Sequence, residues 1–384
     1  GLVGLNNWAG TITGCYTGGT VSTTLYSFYV GGLVGKNDGT VKTCYATGSV
    51  SSEAYVGGLV GYNSAGTVTD CYSTGFVSGT FPSETGGLVG HNSKSISGCL
   101  WDMQTSGQGN GVGSGSASGT TGKTTAEMQM LATFIDAGWD FTESDGDAAD
   151  WWMTVNHYPK LAWEFPFDGG SGTVADPYQI RTAQQMNAIG IYPGEWEKAF
   201  QLMADIDMSA YTGTQYNIIG NEATPFAGIF DGGGYVIRHL TYTDPSQDYV
   251  GLFGFIGNSA LIQNLGVDNI TVSARSVVGG LTAVNRGTIL SCYASGSVSG
   301  SFDVGGLAGR NVGAVASCYA AVSVQATGYT AVGLVGYKPG SLAGCYATGA
   351  VSGPKWIGGL VGFCDGSITA CYATGLVSGT LEVG

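Results

Sequence analysis

Residues 31–51 read GGLVGKNDGTVKTCYATGSVS, and this stretch decides the fold because it comes back. It recurs as GGLVGYNSAGTVTDCYSTGFVS from Gly57 and as GGLVGFCDGSITACYATGLVS from Gly358. Aligning the copies puts Cys15, Cys44, Cys71 and Cys99 in one column, and Cys292, Cys318, Cys345 and Cys371 in another. The spacing is 26–29 residues throughout. A further unit, VGLFGFIGNSALIQNLGVDNITVS from Val250, fits the same frame with Leu265 in place of the cysteine. A fixed period of this length is the signature of stacked repeats, each one supersecondary unit.

Within the unit the side chains alternate. Cys44, Ala46, Gly48 and Val50 share one parity; Tyr45, Thr47, Ser49 and Ser51 share the other. That is the period of two expected of a strand with one buried face. Cys371, Ala373, Gly375 and Val377 repeat the apolar set against Tyr372, Thr374, Leu376 and Ser378, with one apolar residue on the polar side. Small residues inside predict a narrow core. Leu33 and Val34 predict a second short strand, and Val41 or Ile368 a third apolar position. Gly35 and Gly39 are expected at tight corners with positive φ, where a Cβ is costly. One rung of this size cannot bury its own core, so rungs must stack. The predicted fold is all-β: a right-handed parallel β-solenoid of 26–29-residue rungs.

Stacking in register sets like residues about 4.8 Å apart. Asn37, Asn63, Asn92, Asn285 and Asn311 fall at one corner, with Lys338 and Cys364 as substitutes. Stacked Asn side chains bond to one another and to turn backbone, so an Asn ladder is expected. The eight aligned cysteines predict a buried ladder. Neighbouring rungs bring their Cα atoms within disulfide range, yet in-register side chains run parallel, so free thiols are expected over disulfides. No Cys-x-x-Cys or nearby His accompanies them, which argues against a metal site.

Composition agrees. Of 384 residues, 68 are Gly, 10% are charged and 11% aromatic, which excludes a helical bundle and a disordered tail. The formal charge of −14 disfavours nucleic acid and anionic lipid as partners. No apolar run approaches the roughly 20 residues of a membrane span.

The GLVG and GLAG cores, with the Asn and Cys-Tyr positions that follow them, resemble the GLUG-motif repeat proteins. The likeness extends to the segment between the two arrays. LWDMQTSGQ, GTTGKTTAEMQ, GWDF and YPKLAW resemble a segment that ends one array; GGSGTVADPYQI, LMADIDMS and GIFDGGGYVI resemble one that opens the next. The resemblance implies a large bacterial secreted or surface protein with β-helical arrays, adhesins and envelope components among them. Extracellular or cell-surface localisation is therefore expected.

Four regions follow: rungs over 1–100, a Trp-rich mixed α/β capping insert over 101–167, an N-terminal cap with first rungs over 168–249, and rungs over 250–384. A short helix is predicted from Lys123 to Met130, after a Gly/Ser-rich linker, with Thr124 or Thr125 as N-cap and Glu127 in its first turn. Trp139, Trp151, Trp152 and Trp163 are expected to cover an open solenoid end, where unpaired strand edges need protection. A helical turn over Thr182–Ile189 is expected to cap the next array. Joining Gly384 to Gly1 restores VGGLVG with a cysteine spacing of 28, so one period of a longer array, covalent or stacked, is expected.

Chemistry-bearing motifs are sparse. TTGKTT lacks the Gly of a phosphate-binding loop, having Ala117 in its place. Glu143, Asp145, Asp147 and Asp150 offer carboxylates as a Ca²⁺ loop does, but without its Gly and terminal Glu; a solvated acidic loop is the reading preferred, with Ca²⁺ the one cofactor considered. Tyr16, Tyr45, Tyr72, Tyr293, Tyr319, Tyr346 and Tyr372 predict an outward stripe beside Thr47, Thr74, Thr348 and Thr374. Such a stripe suits an exposed sheet, lateral packing against a neighbouring solenoid, or glycan binding. His91, His157 and His239 lie in separate segments, and no carboxylate pair shares a column, so no catalytic residue is assigned. The expected role is structural, a filament, stalk or surface-layer scaffold whose partner is itself. Adhesion to a glycan or a cell-surface protein is the alternative.

Overall fold

The computed structural model describes residues 1–23, 28–141, 150–153, 156–338 and 340–384. The chain forms two compact units, Gly1–Phe165 and Pro166–Gly384.

In the first unit the four GLVG segments and the stretch VGSG form short strands, Val3–Asn6, Val34–Asn37, Val60–Asn63, Val89–Asn92 and Val112–Gly115. They stack parallel in that order, with Val3, Val34, Val60, Val89 and Val112 in register. A second parallel sheet carries the cysteines: Cys15 pairs with Cys44, and Tyr16, Tyr45 and Tyr72 are in register. Two smaller sheets, with Val50–Ser52 and Ala54–Gly57 at their centres, complete the coil. The chain is thus a β-solenoid, and its alternation follows the sequence. Cys44, Ala46, Gly48 and Val50 are buried, whereas Thr47, Ser49 and Ser51 are exposed. Leu33, Val34, Val41, Leu59, Val60, Val68 and Cys71 fill the space between sheets.

The second unit repeats the plan with longer strands. Eight parallel strands run from Tyr178–Ile180 to Ser367–Thr369 in one sheet, and five from Phe253–Ile256 to Val361–Cys364 in another. In Tyr319–Val332 the residues from Ala320 to Ala326 alternate between buried and exposed without interruption. The core narrows along the unit. Phe200, Phe226, Phe230 and Phe253 fill it near the start, with Phe226 and Phe253 rings 5.3 Å apart; Ala294, Ala320 and Ala347 line the later rungs.

Three expectations are corrected. The Gly/Ser-rich stretch before Lys123 is not a linker: Val112–Gly115 and Thr120–Lys123 pair with the preceding rung. Small residues tolerate the close backbone approach of a further coil, and Trp101 turns into its core beside Gly111 and Gly122. Gly35 and Gly39 are not left-handed. Positive φ falls instead on Thr43, Asp70, Ser291, Ser317 and Ala370, each just before the column cysteine, and on the Gly14, Gly98 and Gly344 equivalents. Gly35 and Gly39 are needed for closeness, since a Cβ there would lie 2.6 Å from the Gly4 carbonyl and 2.2 Å from the Gly10 carbonyl. Finally, Trp139, Trp151 and Trp163 lie on the flank of the first unit, over the tyrosine column, and not over its end.

The helix expected over Lys123–Met130 occupies Thr125–Met128, with Thr124 as N-cap in a capping box with Glu127; a second turn, Leu131–Ile135, follows after the extended Met130. Ala183–Ile189 is helical with Thr182 as N-cap and Gln185 closing the box. Among the described residues no helix is long and apolar enough to cross a membrane.

Candidate functional site

Three columns of side chains run along the rungs, and each is built from a residue type the coil places at one position. The first is the Asn ladder. Asn37 Nδ2 donates to Asn63 Oδ1 at 2.9 Å, and Asn63 Nδ2 to Asn92 Oδ1 at 2.8 Å. Asn285 Nδ2 donates to Asn311 Oδ1 at 2.7 Å in the second unit. The remaining capacity goes to backbone: Asn37 Nδ2 also donates to the Thr67 carbonyl, and Asn285 Oδ1 accepts from Gly287 N–H. All five are fully or almost fully buried. Asn6, which sequence reasoning passed over, starts the ladder by donating to Asn37 Oδ1 at 2.8 Å. The signal was present, because GLVGLN at Gly1 aligns with GLVGKN.

The second column is the cysteines. Cys44, Cys71, Cys99, Cys292, Cys318 and Cys345 are buried and Cys15 and Cys371 half-buried, all as free thiols. Their common feature is not visible in the sequence. Each Sγ lies 3.0–3.3 Å from the carbonyl two residues earlier, as Cys71 does with Thr69 and Cys318 with Ala316. The left-handed residue between them folds that carbonyl inward, and the thiol supplies a weak donor small enough for the core. Burial pushes the Cys71 thiol well above its ordinary pKa. The Cys292 thiol, with burial adding, pushes Cys318 up to about 12. Cys364, the ninth, is exposed at the Asn-ladder position.

The third column is tyrosine, and the two units treat it differently. In both it is stacked: Tyr16–Tyr45 and Tyr45–Tyr72 centroids are 4.9 Å apart, Tyr293–Tyr319 4.8 Å and Tyr346–Tyr372 5.0 Å. In the first unit Tyr45 and Tyr72 are only 1% exposed. Trp151, Trp139, Phe134 and Tyr158 pack on them. The hydroxyls are held too, Tyr45 donating to Glu164 and Tyr72 to the Pro159 carbonyl at 2.6 Å. Burial raises the Tyr72 pKa well above the usual phenol range. In the second unit Tyr293, Tyr319 and Tyr346 are half-exposed and Tyr372 is exposed. Thr47, Thr348 and Thr374 are exposed beside the column, and Thr74 half-buried.

A polar hub missed by the sequence reading anchors the insert. Buried Asp102 accepts from Gln104 N–H, Thr105 N–H, Thr125 Oγ1 and Tyr158 OH. Burial alone would raise its pKa, but the Tyr158 hydrogen bond and the others outweigh it and hold the carboxyl below its ordinary value. Of the acidic run considered for Ca²⁺, Glu143, Asp145 and Asp147 lie outside the described residues. Asp150 accepts from Thr43 Oγ1 and sits 3.8 Å from Lys42 Nζ. Among the described residues no three His, Cys, Asp or Glu side chains are grouped to hold a metal ion. The histidines stay apart: His91 contacts Ser93 and Ser114, and His239 contacts Asp207.

The family sequence model of the GLUG motif matches residues 26–51 and 52–78. A Gly-rich membrane protein of Evansella cellulosilytica is 41% identical over 129 residues, 32% of this chain and 15% of that protein. Halomucin of Haloquadratum walsbyi is 29% identical over 139 residues, 34% of this chain and 2% of that protein. The chain therefore spans only a small part of either relative. A solved protein from Bacteroides ovatus, designated an immunoglobulin A1 protease, matches with a TM-score of 0.46 and 25% identity over 57% of this chain and 77% of its own; a likeness at that score carries no argument. On its stacked rungs and the two motif matches, the chain is a β-solenoid that carries GLUG repeats.

Proposed function

We propose that the chain is an extracellular structural module, a solenoid scaffold that serves as a length of filament, stalk or surface layer. The observation that carries this reading is where its reactive side chains go. The Asn side chains bond to the next rung, the column thiols close corner carbonyls, and Asp102 ties the insert to its rung, so the polar chemistry is directed inward to hold the coil. No catalytic role is proposed. A rung that repeats in register every 26–29 residues also propagates along one axis, which favours tandem or stacked copies over a closed domain. The relative described as a membrane protein supports a place at the cell surface.

Negative-stain electron microscopy of the purified chain tests the assembly. Filaments one solenoid wide are expected as concentration rises. Monodisperse short particles at every concentration would remove stacking and leave tandem repetition within one polypeptide.

One observation favours a second reading, adhesion to glycan. Phe302, Tyr329 and Trp356 form an exposed column with ring centroids 5.6 and 5.9 Å apart, a surface on which sugar rings stack. A glycan array decides it: saturable binding lost on Trp356→Ala supports adhesion, and a blank array removes it.

A further inference from the structure

The first unit shows what covers a tyrosine column; the second unit presents the same column bare. The cover in the first unit is formed by the described residues between Thr124 and Phe165, and its contacts are of three kinds. Indole and phenyl rings lie over the stacked tyrosines, with Trp151 centroids 6.3 Å from Tyr45 and 5.9 Å from Tyr72. Indole N–H groups donate to the carbonyls of left-handed corner residues: Trp163 Nε1 to Gly14 O at 3.0 Å and Trp139 Nε1 to Gly98 O at 2.6 Å. Acceptors on the segment, Glu164 and the Pro159 carbonyl, take the tyrosine hydroxyls.

Each counterpart of that receiving surface recurs in the second unit. Tyr293, Tyr319, Tyr346 and Tyr372 stack with neighbouring rings 3° from parallel. Ser291, Ser317, Gly344 and Ala370 repeat the left-handed corner, with φ between 51° and 62°. The tyrosine hydroxyls have no hydrogen-bond partner among the described residues. Three of the four positions two before the cysteine are apolar here, Leu290, Ala316 and Ala343 with Thr369 the fourth, whereas the first unit has Thr13, Lys42, Thr69 and Ser97. Stacked rings with unpaired hydroxyls, edged by apolar side chains, gain by burial under aromatic groups that also bring acceptors.

We propose that the tyrosine column of the second unit is a docking surface for a tryptophan-rich segment of the same chemistry as residues 124–165, brought by another stretch of polypeptide. The indoles would lie over Tyr346 and Tyr372, the counterparts of Tyr45 and Tyr72, with N–H groups on the corner carbonyls of this column and segment acceptors on the two hydroxyls. The surface is thus a joint between solenoid and insert, used once within the first unit and open in the second. This goes beyond the scaffold reading and holds or fails without it.

The test is tyrosine nitration read by mass spectrometry, with the full chain and with a chain in which residues 87–165 are repeated after Gly384. In the parent, Tyr346 and Tyr372 are expected to react while Tyr45 and Tyr72 do not. In the extended chain Tyr346 and Tyr372 take the places of Tyr45 and Tyr72 in the column, so reaction at those two is expected to be lost, and to return when Trp139→Ala and Trp151→Ala are made in the appended copy alone. A peptide of residues 124–165 titrated calorimetrically into the full chain guards against misfolding of the extension. Saturable heat that disappears in the Tyr346→Ser/Tyr372→Ser variant supports the proposal. Unchanged nitration together with no peptide binding overturns it. So does protection that survives loss of the appended tryptophans, or protection in the parent that rises with its own concentration, which would mean that copies pack face to face.

Discussion

At the scale of single residues, stability rests on side chains that serve two rungs at once. Asn63 is donor to Asn92 and acceptor for Asn37, so Asn63→Ala leaves a buried N–H of Asn37 without a partner and takes one of two donors from Asn92 Oδ1, which keeps the Lys94 N–H. Leaving one such group unmet predicts a loss of about 1–3 kcal/mol, read as a lower urea midpoint. Asn6→Ala breaks the bonds to Asn37 Oδ1 and the Thr40 carbonyl at the ladder's edge, but Asn37 Oδ1 keeps the Gly39 N–H, and a smaller loss of about 1 kcal/mol is expected. The thiols make a different prediction. Cys318 has a folded pKa of about 12 against an ordinary 9.0, so folding favours the neutral thiol. Its contribution is complete below about pH 9 and is lost as pH rises toward 12. The urea midpoint should fall over that window, and less steeply in Cys318→Ala. Native alkylation with iodoacetamide at neutral pH should label Cys364 and spare Cys44, Cys71, Cys99, Cys292, Cys318 and Cys345.

At the scale of the rung, backbone closeness decides which glycines matter. A Cβ on Gly58 would stand 2.2 Å from the Gly87 carbonyl of the next rung and 2.9 Å from Ser73 Oγ, whereas one on Gly19 meets nothing within 4 Å. Gly58→Ala should therefore cost about 1–3 kcal/mol by overpacking, and Gly19→Ala should stay within about 0.5 kcal/mol of neutral. Thermal melts of the two variants check this. The same distinction explains what the sequence could reveal. Alternation about Cys44 and the fixed period disclosed the strands, their buried face and the Asn column, because both signals are local and repeat. The left-handed corners were misplaced onto Gly35 and Gly39, because composition points to glycine while the coil puts the strain on Thr43 and Asp70, whose carbonyl neighbours the thiols satisfy. The site of the tryptophan insert was illegible, since nothing in residues 124–165 tells end from flank; the rings packed on Tyr45 and Tyr72 and the buried hydroxyls of both show that the flank was chosen.

At the scale of the molecule, each unit has its own stacked core, and stacked repeats couple chiefly to their neighbours. A lesion should then spread along the rungs it touches and stop. Trp151 is the sharpest probe, because it is 1% exposed and packs on two tyrosines of the column and on Trp139, 4.4 Å away between centroids. Trp151→Ala removes a large buried ring and should cost about 3–5 kcal/mol within the first unit. Hydrogen exchange read by mass spectrometry should show faster exchange over 124–141 and over the strands bearing Tyr45 and Tyr72, with residues 166–384 unchanged. The inner core of Leu33, Val60 and Val89 forms a cluster separate from the insert, so these strands should keep most of their protection even where the flank has opened. Equal loss across both units would instead mean that the chain unfolds as one cooperative body. Loss confined to the insert would mean that the tyrosine stack holds its rungs together without its cover, as the bare column of the second unit already does.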